Sequence, residues 1–216
     1  MGRHVQSHLF HGAERSYYDT MSYTRRDIYY FDRPGPENTG DAARMAVERA
    51  KALGIRQILV ASTGGSTALA FLDAVKGTGI ELIVVSHVVG FEKPGVWEFS
   101  EEAAKTLRAA GVRIVTGTHA LSGLERALSR AQRVGGGSRT EAIAEAFRRT
   151  IAVGLKVAVE CTLIAADQGA IPVSEEVVAA GGTVSGADTV CVIRPAHTAS
   201  FFDLQVREIV AMPRNR

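Results

Sequence analysis

From Asn38 onward the apolar positions alternate between two spacings. Ala43, Ala46, Val47, Ala50 and Leu53 recur at helical intervals, with Asn38 or Thr39 placed to cap the start and Gly54 to end the helix. Ile58 to Ala61 follows as a short continuous apolar run, the reading of a strand buried on both faces. The cadence then repeats. Ala68, Phe71, Leu72 and Val75 return to helical spacing, and Gly79 to Val85, broken only by Glu81, is the next strand. Ser100 caps a helix whose first turn carries Glu101 and Glu102, Gly111 closes it, and Val112 to Val115 is a further strand. Successive helix-glycine-strand units predict parallel strands, and right-handed crossovers place helices on both faces of the sheet. The expected fold is α/β: a three-layer α/β/α sandwich with a mostly parallel sheet of about five strands.

The second half is less regular. Ser138 and Glu141 have capping-box spacing and open a helix to about Ala152. Lys156 to Ala166 reads as another helix, although its alternation also fits a strand. Thr189 to Ile193 has the composition of a central strand, and Leu204 to Met212, with polar Gln205, Arg207 and Glu208, that of a less buried last one.

A composition break sets off residues 1–26 as a leader or arm before a single domain, 27–216. All five tyrosines lie at or before Tyr30, and His4, His8 and His11 precede them. A poorly ordered leader, or an arm packed on a neighbouring subunit, explains this better than a metal-binding tract, because the histidine spacing matches no familiar ligand signature. Met21 is a possible alternative start.

The chain has 216 residues, 46% hydrophobic and 22% charged, which suits one compact domain able to bury a core without disulfides or a structural metal. Twenty-five Lys and Arg against 23 Asp and Glu offer no strong drive toward nucleic acid or anionic lipid. The apolar runs are far shorter than a membrane-spanning helix requires, and no secretory signal pattern opens the chain, so a cytoplasmic location is expected. Cys161 and Cys191 lack CxxC spacing and are expected as reduced core residues.

Open parallel sheets bind ligands beyond the carboxyl ends of their strands. At the first such end stands Ser62-Thr63-Gly64-Gly65-Ser66-Thr67, running directly into a helix. Its glycines let backbone approach a ligand, and its amides, hydroxyls and helix dipole favour an anion. A phosphate fits. No Lys follows the glycines and no GxGxxG is present, which argues against Walker-type and ordinary NAD sites. The plain alternative is a capped tight turn.

His87, His119 and His197 each follow a predicted strand, so all three are expected at one rim, with Gly117, Thr118, Arg194 and Pro195 beside them. A catalytic zinc on three imidazoles is a weaker reading, since no HxH, HExxH or adjacent Asp-His pair occurs. Ser122-Gly123 looks like another helix start at that rim and, like Gly135 to Thr140 around Arg139, is a candidate to bind a second anion, the triple glycine reading otherwise as a flexible connector. Glu160 and Asp167, seven apart, share one helix face among apolar residues; one is a candidate general base, or both simply bond neighbouring groups. Lys156 reads as a solvated helix-end residue rather than a Schiff-base lysine. The loop from Val88 to Phe99, with Phe91, Pro94, Trp97 and Phe99, either closes over a planar ligand or packs on the protein's own surface or a subunit interface.

Several segments taken together resemble a known family. They are Pro34 to Thr39, Arg49 to Ile55 with Val60 to Gly64, Thr118 to Arg126, Ala187 to Thr189 with Arg194 to His197, and Met212 to Asn215. The family comprises small prokaryotic proteins with a pyruvate kinase carboxy-terminal-domain-like fold, and the resemblance runs from about Tyr30 to the end. It implies an α/β/α sandwich, self-association into a homo-oligomer, and flavin mononucleotide (FMN) as cofactor, without a settled reaction. In pyruvate kinase the related domain binds a sugar-phosphate effector through a Ser/Thr-rich turn, which here looks like Ser62 to Thr67. The catalytic barrel is not part of the resemblance, so pyruvate kinase activity is not expected. The expected function is binding of a phosphorylated small molecule, foremost FMN, at the carboxyl edge of the sheet, with an FMN-dependent oxidoreductase as the candidate enzyme class, His119 as candidate acid or base and Arg194 stabilising negative charge on a reduced ring. The alternative is a non-catalytic sugar-phosphate or nucleotide effector module.

Overall fold

The computed structural model describes residues 23–131, 133 and 136–215. His4, His8, His11, Met21 and Gly135 lie outside the described residues. The elements run β1 (Tyr29–Phe31), α1 (Thr39–Leu53), β2 (Gln57–Ala61), α2 (Ser66–Val75), β3 (Glu81–Ser86), α3 (Glu101–Ala109), β4 (Arg113–Thr116), α4 (Gly123–Arg130), α5 (Arg139–Thr150), α6 (Val153–Asp167), β5 (Val177–Gly181), β6 (Thr189–Arg194) and β7 (Gln205–Pro213).

One seven-stranded sheet has the order β1-β7-β6-β5-β2-β3-β4. Its strand pairs are parallel except where β6 meets β5 and β7. Alternate side chains of each buried strand go to opposite faces. Ile58 and Val60 therefore pack with α1, α2 and α3, while Leu59, between them, packs against α6. The result is the expected α/β sandwich with a mostly parallel sheet, but of seven strands rather than about five. The two unforeseen strands carry weak local signals. Three-residue β1 is too short to show a period, and β5 reads Val-Val-Ala-Ala-Gly, with small residues where Ile or Leu would mark a strand.

Lys156 to Ala166 belongs to α6, a helix, which resolves that ambiguity. The helix starts also sharpen. Ser100 accepts from the Ala103 N–H and Ser138 from the Glu141 N–H, as the spacing predicts. The other half of the capping box is absent, because the Glu141 carboxylate is taken by Arg126 and Ser129. Neither Asn38 nor Thr39 caps α1 through its side chain: Asn38 donates to the Arg33 carbonyl and Thr39 to that of Pro36.

The antiparallel setting of β6 corrects a larger expectation. Residues 182–188 join β5 to β6, too few for a crossover, so the chain turns back as a hairpin. Ile193 then lies opposite Val177, the first residue of β5. Arg194, the last residue of β6, and Pro195 and His197 after it consequently sit at the amino ends of the parallel strands, opposite the rim where ligands are expected. The hairpin loop takes its place at the carboxyl rim. There α6 begins in direct contact with β5, since a Cβ on Gly181 would stand 2.4 Å from the Gly154 carbonyl oxygen.

Candidate functional site

A cavity of about 270 Å³ opens at the carboxyl ends of β2, β3 and β5. The turn after β2 forms one wall. Ser62 lines the cavity but is buried, and its hydroxyl accepts from the N–H groups of Gly65 (3.1 Å) and Ala68 (3.4 Å), which ties it to the start of α2. Thr63, Gly64, Ser66 and Thr67 line the cavity, and among the described residues their backbone N–H groups have no protein acceptor. Gly65 turns away at φ 106°; a Cβ there would stand 2.5 Å from that of Ala103, which is what holds the turn against α3.

His87 and His119 meet, with ring centroids 5.3 Å apart. Phe91, from the loop after β3, stacks on His119 at 4.9 Å and lies 4.1 Å from His87, so that loop does contribute a wall. Trp97 turns inward, donating to the Ser86 hydroxyl at 3.0 Å. His87 Nδ1 is 2.9 Å from Glu98 Oε2, and its Nε2 is 3.4 Å from Thr63 Oγ1.

The opposite wall is α6. Lys156, expected in solvent, is 3% exposed, because α6 begins against β5 and its first turns are enclosed. Its ammonium pairs with Glu160 one turn later, and Glu160 also accepts from the Leu121 N–H at 2.8 Å. His119 Nδ1 stands 3.6 Å from the same carboxylate, while its buried Nε2 has no partner among the described residues. Burial lowers the His119 pKa against the pull of Glu160; the positive charges of Lys156 and Arg126 and the nearby His87 push the same way. Burial likewise lowers Lys156 from its ordinary value, against the opposing pull of Glu160. Cys161, also on this wall, has its thiol pushed up to about 12 by burial, as does core residue Cys191, so both behave as apolar side chains.

Arg126 and Arg148 complete the lining together with the Gly182–Gly186 hairpin loop. The arginines are anchored from behind by Glu141 (2.6 Å) and Glu145 (2.8 Å). Asp188, fully buried, shapes the hairpin by accepting from the N–H groups of Thr183 and Gly35 and from the Thr189 hydroxyl. Sequence reasoning missed Arg148, Lys156 and the hairpin as site residues. The glycine-rich run from Gly181 to Gly186 was a usable hairpin signal; nothing local marks an arginine late in α5.

Gly117 and Thr118 line a neighbouring cavity of about 370 Å³, which shares His119 and Ser122 with the first. Gly123 opens α4 against the Thr118 methyl group. Arg194, Pro195 and His197 line a third cavity, at the other end of the sheet. His197 pairs with Asp167, whose carboxyl also accepts from the Thr198 N–H and hydroxyl; Asp167 and Thr198 themselves line the second cavity. Burial would raise the Asp167 pKa, but these bonds from Thr198 and His197 outweigh it and hold the carboxyl below its ordinary value. The three imidazoles therefore do not converge, which removes the three-histidine zinc arrangement, and Asp167 bonds its own neighbours. The anion expected around Arg139 exists as part of the protein. Glu125 accepts from Ser138 Oγ and Thr140 N at the start of α5, and these bonds hold its pKa below the usual carboxylate range.

Comparison with known proteins adds one strong match. The family model "Pyruvate kinase, alpha/beta domain" matches residues 41–193, a span that carries the whole lining of the 270 Å³ cavity. Among solved structures, the SAH-bound methyltransferase of Podospora anserina aligns over 82% of this chain and 72% of that one at 13% identity, with a TM-score of 0.26. That score is too low to bear on function.

Proposed function

The chain belongs to the pyruvate kinase alpha/beta domain family, and from that premise we propose that it binds a phosphorylated small molecule at the carboxyl rim of its sheet, with FMN as the leading ligand. The observation that carries this reading is the set of donors. The Thr63, Gly64, Ser66 and Thr67 amides, without protein acceptors among the described residues, open onto a cavity that Arg126 and Arg148 also line, each guanidinium held by a carboxylate behind it. Amides at a helix N-terminus with flanking arginines favour a phosphate over a neutral group. The Phe91, His87 and His119 rings offer a planar ligand an aromatic face beside that anion locus. His119, kept toward its neutral form by burial, is the candidate to exchange a proton with such a ligand.

The test is mass spectrometry of the small molecule retained after purification, together with a visible spectrum. A flavin spectrum that bleaches on reduction supports FMN. Colourless protein whose melting temperature rises with sugar phosphates supports the effector-module alternative. Failure of every phosphorylated compound to bind would overturn both.

A further inference from the structure

Glu98, His87 and Thr63 form a line of hydrogen bonds that the binding of a phosphorylated ligand does not require. Glu98 Oε2 lies 2.9 Å from His87 Nδ1, and His87 Nε2 lies 3.4 Å from Thr63 Oγ1. An Nδ1–H donated to the carboxylate leaves the lone pair on Nε2, facing the hydroxyl. Glu98 is itself fixed, since its other oxygen accepts from the Glu92 N–H at 2.8 Å. Nucleophile, base and orienting carboxylate in this order are the arrangement that activates a hydroxyl for covalent catalysis.

The setting of Thr63 fits as well. It stands in a tight turn between strand β2 and helix α2, with small residues two positions away on either side, Ala61 and Gly65. Nucleophilic hydroxyls of α/β hydrolases occupy strand-turn-helix positions too, there on a strained backbone; Thr63 shares the placement but not the strain, since Val184 is the one non-glycine at positive φ among the described residues. The neighbouring N–H groups of Gly64, Ser66 and Thr67, without protein acceptors among the described residues, are available to a developing oxyanion.

We propose that Thr63, His87 and Glu98 constitute an acyl-transfer site, Thr63 the nucleophile, His87 the general base and Glu98 a positioning residue, acting on carboxylic esters of small anionic molecules. Thr63 Oγ bonds to the ester carbonyl carbon as its proton passes to His87 Nε2. The carbon–oxygen bond to the leaving alcohol then breaks, and His87 returns the proton to that alcohol. Water repeats both steps on the threonyl ester, releasing the acid and restoring Thr63. Anionic esters are preferred because Arg126 and Arg148 line the same cavity.

The full chain is treated with diisopropyl fluorophosphate and its adducts are located by peptide mass spectrometry. The expected result is a single adduct on Thr63, retained in Thr63→Ser and absent from Thr63→Ala. His87→Asn slows labelling by on the order of 100-fold. Glu98→Gln slows it about tenfold and Glu98→Asp restores part of the rate, a pattern that a purely structural carboxylate would not produce. Melting curves establish that each variant is folded. No adduct on Thr63 in the folded wild type, or labelling that is indifferent to His87→Asn, overturns the proposal. Either result leaves the phosphorylated-ligand reading to its own mass-spectrometric test.

Discussion

Lys156 and Glu160 stand one turn apart on α6, only 3% and 5% exposed, and bond each other inside the cavity wall. Two charges removed from water in this way are stable only as a pair. Glu160→Leu strands the Lys156 ammonium and is expected to destabilise the protein by about 3–5 kcal/mol in denaturant unfolding. Combining Lys156→Met with the same Glu160→Leu should cost less than the sum of the two single substitutions, because no buried charge is then left unpaired. An additive double mutant would contradict the pairing.

His119 sets a pH dependence whose sign follows from burial. Its folded pKa lies below the ordinary histidine value, so between the two values the unfolded chain binds a proton that the folded chain does not. Its contribution to stability is complete above about pH 6.5 and is lost as pH falls through that value toward the folded one. Urea midpoints measured across this window should decline less steeply toward acid in His119→Gln than in the wild type.

Gly154 sits where a Cβ would meet Thr189 Oγ1 at 2.3 Å and Asp188 Oδ1 at 2.8 Å. Gly154→Ala is therefore expected to cost about 1–3 kcal/mol through overpacking. Gly64→Ala meets nothing within 4 Å and should leave the melting temperature nearly unchanged. A loss of ligand affinity in folded Gly64→Ala would then report crowding at the turn itself.

The separation of the two rims predicts which substitutions matter for binding. Ser66→Ala should weaken a phosphorylated ligand by about 1–3 kcal/mol by removing one donor, read by calorimetry. Arg194→Ala and His197→Ala, at the opposite end of the sheet, should leave that affinity within about twofold. A strong loss in either would move the ligand to the other rim.

Much of this was legible in the order of residues. Apolar runs such as Ile58 to Ala61 and Leu82 to Val85, punctuated by helical spacing and glycines, establish a parallel core because periodicity and turn chemistry are local properties. The same local logic places Thr63, Gly64, Ser66, Thr67, His87 and His119 beyond strand ends that do share a rim. Ser62 shares that rim too, and its bonds to Gly65 and Ala68 form only once the turn has closed.

Strand direction depends on whether a connection crosses over or turns back, and its one local sign was the glycine-rich run from Gly181 to Gly186. The hairpin at 182–188 reversed β6, carried Arg194 and His197 away, and brought Gly182 to Gly186 in. Charge burial was hidden for a related reason: Lys156 looks solvated beside its sequence neighbours, and only the packing of α6 against β5 encloses it. Arg126 and Arg148 reach the cavity from separate helices, and Glu125 fills a helix terminus that local chemistry offered to an outside anion. Periodicity within a segment reports which face of that segment is buried; which other segments supply the burial, and the charges that meet there, is settled by contacts between residues far apart in the chain.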